Sequence, residues 1–410
     1  MSTTEEPRRA EGLDTASRLA CCPACESTKI SHVHTPGRVP AHSCLLLRDQ
    51  QEAKEFPTGE LEVWLCEDCG FVFNPVFEVE LNQYSTDFEE SQGFSPTFVE
   101  FGKGLAEQWV RDYDLEGKSA IEIGCGKGEF LEWMVEAGLG SGVGIDPGIQ
   151  VERFEPGGPA DRIEWKVDHY DASYGPFAED AVVCRHTLEH IAPVKTFMDD
   201  VRRSIGEREH VAVLFELPDV VRVLDEGAFW DVYYEHCSYF SPGSLARLFR
   251  RTGYEVLAVE RCYSDQYLLI EARPADGPTE GKLPLEEDPA EMKELAERYA
   301  KAVTTAIDGW RDKIAETAAR GGKTAIWGAG SKGVAFLHGV GETAPIEAAI
   351  DINPFKHDTF IAGSGHPVVA PEWLQANPVD LIVCMNPVYV DEITAQVREL
   401  GLPDCEIVAV

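Results

Sequence analysis

The chain has 410 residues, 72 acidic against 36 basic for a formal charge of −36, and is 44% hydrophobic and 10% aromatic. That much apolar material excludes a disordered chain, and the length exceeds the roughly 250–300 residues at which one core stops growing, so two or three domains are expected. The negative field repels phosphate backbones and anionic lipid, so nucleic acid and membranes are not expected as partners, and the excess acid reads as an adaptation of the surface to solubility or salt.

Residues 1–18 are polar and aperiodic and read as a disordered tail. No apolar stretch marks a signal peptide, and no run reaches the roughly 18 apolar residues of a spanning helix. A cytoplasmic protein is expected, in which twelve cysteines do not imply disulfides. Residues 19–80 carry Cys22-Pro-Ala-Cys25 and Cys66-Glu-Asp-Cys69 around short strands near 42–47 and 61–65. Two pairs of thiolates complete a tetrahedron without an open position, so a structural zinc is expected on Cys22, Cys25, Cys66 and Cys69. Cys21 lacks the spacing to Cys25, and His32, His34 and His42 read as ordinary surface or core histidines.

Residues 81–275 alternate strands and helices. Strands are predicted at 119–124, 142–146, 163–167, 180–185 and 210–215, then near 254–260 and 266–272, with helices at 127–137, 194–205 and 244–252. This is the pattern of an α/β fold with a mostly parallel sheet. Residues 276–318 open as a linker rich in Pro, Gly and acid, and a long helix is predicted over 290–320. Residues 319–410 form a second α/β unit, with strands at 324–328, 346–351 and 379–385.

Ile121-Glu122-Ile-Gly124-Cys-Gly126-Lys-Gly128 follows a strand and opens a helix. Glycines let the backbone turn sharply and approach a ligand closely. Glu122 suits a cationic amino-acid ligand better than a diphosphate, and Asp146, ending the second strand, can accept both hydroxyls of a ribose. Together Glu122, Gly124, Gly126, Gly128 and Asp146 resemble the class I S-adenosylmethionine methyltransferases. The resemblance implies a doubly wound sheet, places the loop at the methionine part and Asp146 at the ribose, and puts Asp168 near the adenine. His186 falls beside the same cofactor. NAD is the rival ligand.

Arg185-His186-Thr-Leu-Glu189-His190 ends the fourth strand, and Phe229-Trp-Asp-Val-Tyr233-Tyr234-Glu235-His236 follows the fifth. Such ends face the substrate crevice of open α/β sheets. An imidazole suits removal of an acidic C–H, and Tyr and His supply donors to an enolate oxygen. Glu235 could orient His236.

Taken whole, the chain after the tail resembles the bacterial sugar C-methyltransferases that act on nucleotide-linked keto-deoxysugars. That family joins an N-terminal four-cysteine zinc module, a central methyltransferase domain and a C-terminal Rossmann-like domain. The resemblance implies S-adenosylmethionine and zinc as cofactors, His236 as the base, His190 and Tyr233 assisting enolisation, and Glu235 supporting them. The family also has a tyrosine before the first methyltransferase strand. Tyr84 stands for it, or else Phe88, which lacks the hydroxyl. In the last segment Gly328-x-Gly330-x-x-Gly333, followed by Asp351, resembles a dinucleotide fingerprint. The family uses this domain to enclose the nucleotide-sugar, so Ser331, Lys332 and Lys356 are assigned to phosphate contact. The alternatives are an O- or N-methyltransferase on a related compound, an NAD-dependent oxidoreductase using the C-terminal domain, and a zinc-bearing scaffold. The protein is expected as monomer or homodimer.

Overall fold

The computed structural model describes residues 18–82, 88–341 and 343–410. The expected tail thus lies outside the described residues except for Arg18, which pairs with Glu62 at 2.5 Å and lies over the Trp64 ring.

Three sheets organise the chain. The first is antiparallel and joins Ile30–Pro40, Thr58–Cys66 and Val72–Phe73. Its fourth strand arrives from far along the chain, where Ser238–Tyr239 pairs with Phe73 and Val72. The strand expected at 42–47 is reduced to isolated bridges from Leu45 to Phe88 and from Leu47 to Phe360. That segment bonds outward to other parts of the chain and has no ladder of its own.

The second sheet has seven strands. From one edge they run Ile163–Lys166, Ser141–Ile145, Ser119–Ile123, Ala181–Arg185, Ala212–Pro218, Tyr267–Pro274 and Tyr254–Cys262. The first five are parallel, and Tyr267–Pro274 is antiparallel to both of its neighbours. Ala181-Val-Val-Cys-Arg185 is wholly buried, as a strand covered on both faces must be. The order reverses beside Ser119–Ile123, which opens a crevice at the strand ends. The helix after it spans Glu129–Glu136, shorter than predicted because Gly128 stands as its N-cap at φ +86°. Val194–Ile205 matches its prediction.

Among the helices that escape the sequence reading, two belong to the central unit. Pro96–Asp112 starts at Ser95, whose side chain accepts from Phe98 N, and Val220–Glu226 starts at Asp219, which accepts from Val221 N. Both use a standard N-cap. The linker is docked, not loose. Leu283 and Leu285 pack on the core, Glu286 takes both Arg250 nitrogens at 2.6 and 2.8 Å, and Glu287 accepts from Ser241 Oγ and Gly243 N.

The long helix Pro289–Ala319 begins with a capping box of Asp288 and Glu291. It buries Met292, Tyr299 and Val303 in one core with Leu61, Val223 and Ile326. That core joins the first and third sheets to the helix that follows Ala212–Pro218. The third sheet runs Thr359–Phe360, Pro367–Val369, Ile346–Ile350, Thr324–Trp327, Leu381–Cys384 and Glu406–Ala409, parallel but for its first edge strand. Among the described residues no helix is long and apolar enough to cross a membrane. The loops after the strands of both parallel sheets line a single cavity of about 570 Å³.

Candidate active site

The glycine loop leaves Ser119–Ile123 with Gly124 at φ +72°, where a Cβ would run into the Thr187 side chain. No residue but glycine fits that approach. Asp146 Oδ2 accepts from Gly126 N at 3.1 Å and Oδ1 from Gly148 N at 2.6 Å, which fixes the carboxylate against the loop. Glu122 is 2% exposed, and its Oε2 has no hydrogen-bond partner. Burial pushes its carboxyl up to about 7 against the pull of Arg185. A desolvated carboxylate facing a cavity is a receptor for a cation. Asp168 lies exposed at the cavity wall and accepts from Tyr174 OH at 2.8 Å.

His186 sits at φ +47°, its amide donating to Glu216 O. Its ring nitrogens face Glu189 Oε1 at 3.6 Å and Glu216 Oε1 at 3.4 Å. Burial opposes its charge, but the two glutamates prevail and hold it at about 9. Glu216 in turn takes Arg185 Nε at 2.5 Å. His186 therefore meets the cofactor side of the cavity as part of an internally compensated cluster.

A turn closed by His236 N donating to Tyr233 O brings those two side chains together. Tyr233 OH and His236 Nε2 are 2.9 Å apart. His190 is held by Nδ1 to the Glu235 carbonyl at 3.0 Å, its ring 4.8 Å from that of His236. Burial, then the neighbouring His190, His186 and Lys332, holds the His236 imidazolium well below the usual range. His236 is thus a neutral imidazole, as a base must be.

Glu235 points away from His236. It is buried against His42 Nδ1 at 2.7 Å and accepts from Ser43 Oγ, so it supports the loop and not the His236 ring. His42, which reads in the sequence as an ordinary histidine, is 2% exposed as its partner. Tyr84 lies outside the described residues; the Phe88 ring packs on His42 at 5.4 Å.

Ser331 starts the helix Ser331–Val340, and its Oγ lies 2.8 Å from the Ser43 Oγ that reaches Glu235. Lys356 Nζ lies beside Gly330, 3.6 Å from Asp351 Oδ2. Lys332 is committed elsewhere. Its ammonium lies 2.7 Å from Asp231 Oδ1 and 3.2 Å from Gln266 Oε1, with Arg222 on the same aspartate. All three line the cavity.

The four cysteines converge, Cys22 on Cys69 at 3.7 Å and Cys25 on Cys66 at 3.5 Å, with every sulfur within 4.8 Å of the others. Glu189 carried no assigned role in the sequence, though it stands between His186 and His190. Its burial and its direction into the site are tertiary facts without a local signal.

Residues 98–259 match the methyltransferase domain family, and residues 280–409 match the C-methyltransferase C-terminal domain family. The C-methyltransferase NovU of Streptomyces niveus is 26% identical over 380 residues, 86% of each chain. The tRNA U34 carboxymethyltransferase of Ectopseudomonas mendocina (strain ymp) is 29% identical over 119 residues, 25% of this chain and 36% of its own. Among solved structures, the riboflavin-derivative dimethyltransferase RosA of Streptomyces davawensis aligns with a TM-score of 0.34 at 20% identity, over 43% of this chain and 56% of that one. The chain is an S-adenosylmethionine-dependent methyltransferase with the class I α/β fold. Its last third is similar to the C-terminal domain of C-methyltransferases, and most of its length to NovU.

The loop fits that cofactor, since the orphaned Glu122 oxygen faces where a cationic ligand needs a counter-charge. A cation favours the ionised carboxylate, so below about pH 7 binding requires Glu122 to lose a proton. Affinity for S-adenosylhomocysteine, whose ammonium is retained, is expected to fall about tenfold from pH 8 to pH 6. Glu122→Gln is expected to weaken binding at pH 8 and to leave only the pH dependence that belongs to Glu90, which burial pushes up to about 8 beside Lys127. Calorimetric titration at both pH values checks this; a variant indistinguishable from wild type would remove Glu122 from the site.

Proposed function

We propose that this enzyme methylates the carbon next to a ketone on a nucleotide-linked keto-deoxysugar. The observation that carries the reading is the Tyr233–His236 contact of 2.9 Å, set with a neutral buried imidazole in the cavity that the glycine loop also lines. His236 takes the α-proton at Nε2, and the Tyr233 hydroxyl and His190 supply donors to the developing enolate oxygen. S-adenosylmethionine, when bound, supplies an electrophilic methyl whose carbon–sulfur bond breaks as the new carbon–carbon bond forms, leaving a neutral thioether. Glu122, the loop glycines, Asp146 and Asp168 hold and orient it.

The phosphate end is read at the N-terminus of Ser331–Val340, with Ser331 and Lys356 as donors. Ser43 Oγ bridges that helix start and the Glu235 carboxylate. The reading keeps three domains, a zinc module at 19–80, the methyltransferase at 81–275 and a Rossmann-like unit at 319–410. A tetrahedral Zn–S bond of about 2.3 Å gives a sulfur–sulfur edge of about 3.8 Å, close to the 3.5 and 3.7 Å of the cluster. All twelve cysteines are unpaired, which favours a reducing cytoplasm.

The test is solvent exchange. A panel of nucleoside-diphosphate 4-keto-6-deoxysugars, incubated with enzyme in D2O without methyl donor, is expected to gain one deuterium beside the ketone. With donor present, the same carbon is expected to gain a methyl group. A panel that neither exchanges nor is methylated on carbon would sink the reading.

A further inference from the structure

Glu189 is buried among charged groups, and neither the family resemblance nor the proposed reaction uses it. It closes the short turn Leu188–His190 after the strand Ala181–Arg185 and is 2% exposed. Neither carboxylate oxygen has a hydrogen-bond partner. Its backbone is pinned, the carbonyl accepting from Cys237 Sγ next to His236. One oxygen faces two imidazoles, His186 Nδ1 at 3.6 Å and His236 Nε2 at 4.0 Å. A buried carboxylate is costly unless compensated; Glu189 already has charged His186 on one side and neutral His236 on the other.

We propose that Glu189 is a positioning residue that supplies the counter-charge for His236 when that imidazole accepts a proton. The inference rests on His236 being the base. The groups around His236 show why one is needed. Tyr233 presents a hydroxyl at 2.9 Å, His190 an imidazole at 4.8 Å between rings and Tyr239 a phenol ring at 6.1 Å. His186 and Lys332 add positive charge from further off. Glu189 is the carboxylate turned to His236 Nε2, because Glu235, its chain neighbour, is spent on His42 and Ser43. Without it, proton transfer would create an imidazolium in a dry site among like charges. The same carboxylate also faces His186, whose other nitrogen lies against Glu216, so it starts the reaction balanced on one side and gains its second partner as the proton arrives. A buried carboxylate near a histidine base can stabilise the imidazolium without taking its proton; Glu189 would do so from the side of the proton-accepting nitrogen.

The experiment uses full-length protein saturated with S-adenosylhomocysteine, its histidines labelled with 13C in the ring and followed by NMR from pH 4.5 to 9. The His236 signal is assigned by its loss in His236→Asn. Glu189→Gln is expected to lower the His236 midpoint by at least about one pH unit and to lower kcat at least about hundredfold, with KM for the acceptor changed less than about threefold. Glu189→Asp, which keeps the charge, is expected to recover part of both. A His236 midpoint that is unmoved in Glu189→Gln overturns the proposal, even if kcat falls, since the residue would then be only structural. The titration contains no acceptor, so a failure of the ketone reading shows in the exchange assay and not here.

Discussion

His236→Asn is expected to lower carbon methylation at least about thousandfold while leaving S-adenosylhomocysteine affinity within about twofold. A positioned general base contributes roughly 10²–10⁴, and asparagine keeps the size and polarity of the ring without its basicity. The cofactor elements, Glu122 and the glycine loop, do not contact His236, and the Tyr233 hydroxyl keeps a polar neighbour. The variant should also lose deuterium exchange beside the ketone, which separates proton removal from methyl transfer. Coupled product assay and exchange by mass spectrometry read both. An O- or N-methyltransferase needs little help in forming an enolate, so a variant that stays fast with the native acceptor would move the enzyme to that class.

Under the proposed zinc site, removing the metal by chelation, or its ligand by Cys66→Ser, is expected to lower Tm by about 10 °C or more and to abolish activity together with structure. Zinc bound to small finger peptides contributes an apparent ~10–16 kcal/mol, as large as the whole stability of many domains. Here the cluster is also part of a larger core. Cys22, Cys66 and Cys69 pack with Phe71, Phe73, Phe240 and Leu245, and the Cys69 carbonyl accepts from Arg247 Nε. The strand that follows the cluster, Val72–Phe73, pairs with Ser238–Tyr239 immediately beyond His236. Loss of the metal therefore loosens the segment that carries the base. Elemental analysis, thermal unfolding and activity of the same preparation check this. Metal-free protein with an unchanged Tm would show that the cysteines pack without an ion.

The strands of the two parallel sheets were legible because covered strands are short continuous apolar runs, as in Ala181-Val-Val-Cys. The glycine loop was legible because its spacing between a strand and a helix has one physical purpose. Pro96–Asp112 was not, since its apolar positions are diluted by polar ones and Ser95-Pro96 was not weighed as a start signal. The helix Val220–Glu226 was lost the same way behind Asp219. Within the site, Tyr233 and His236 were readable as a group, because residues three apart in a tight turn meet. The direction of Glu235 was not, since adjacent side chains in that turn diverge. His42 and Lys332 show the remaining limit. Each is placed by a partner about a hundred or more residues distant, Glu235 and Asp231, and no local pattern encodes such a meeting.

The N-terminal sheet borrows its last strand from Ser238–Tyr239, and this sets an order of events during synthesis. When the cysteine pairs leave the ribosome, Val72–Phe73 has an open edge that nothing nearby in the chain can cover. It stays open until five of the seven central strands have been made. With the proposed zinc site, the two cysteine pairs can load an ion early, and metal capture would protect an unfinished edge through translation. A chain starved of zinc during expression should therefore aggregate as it is made, and adding the metal to the finished protein should rescue less of it.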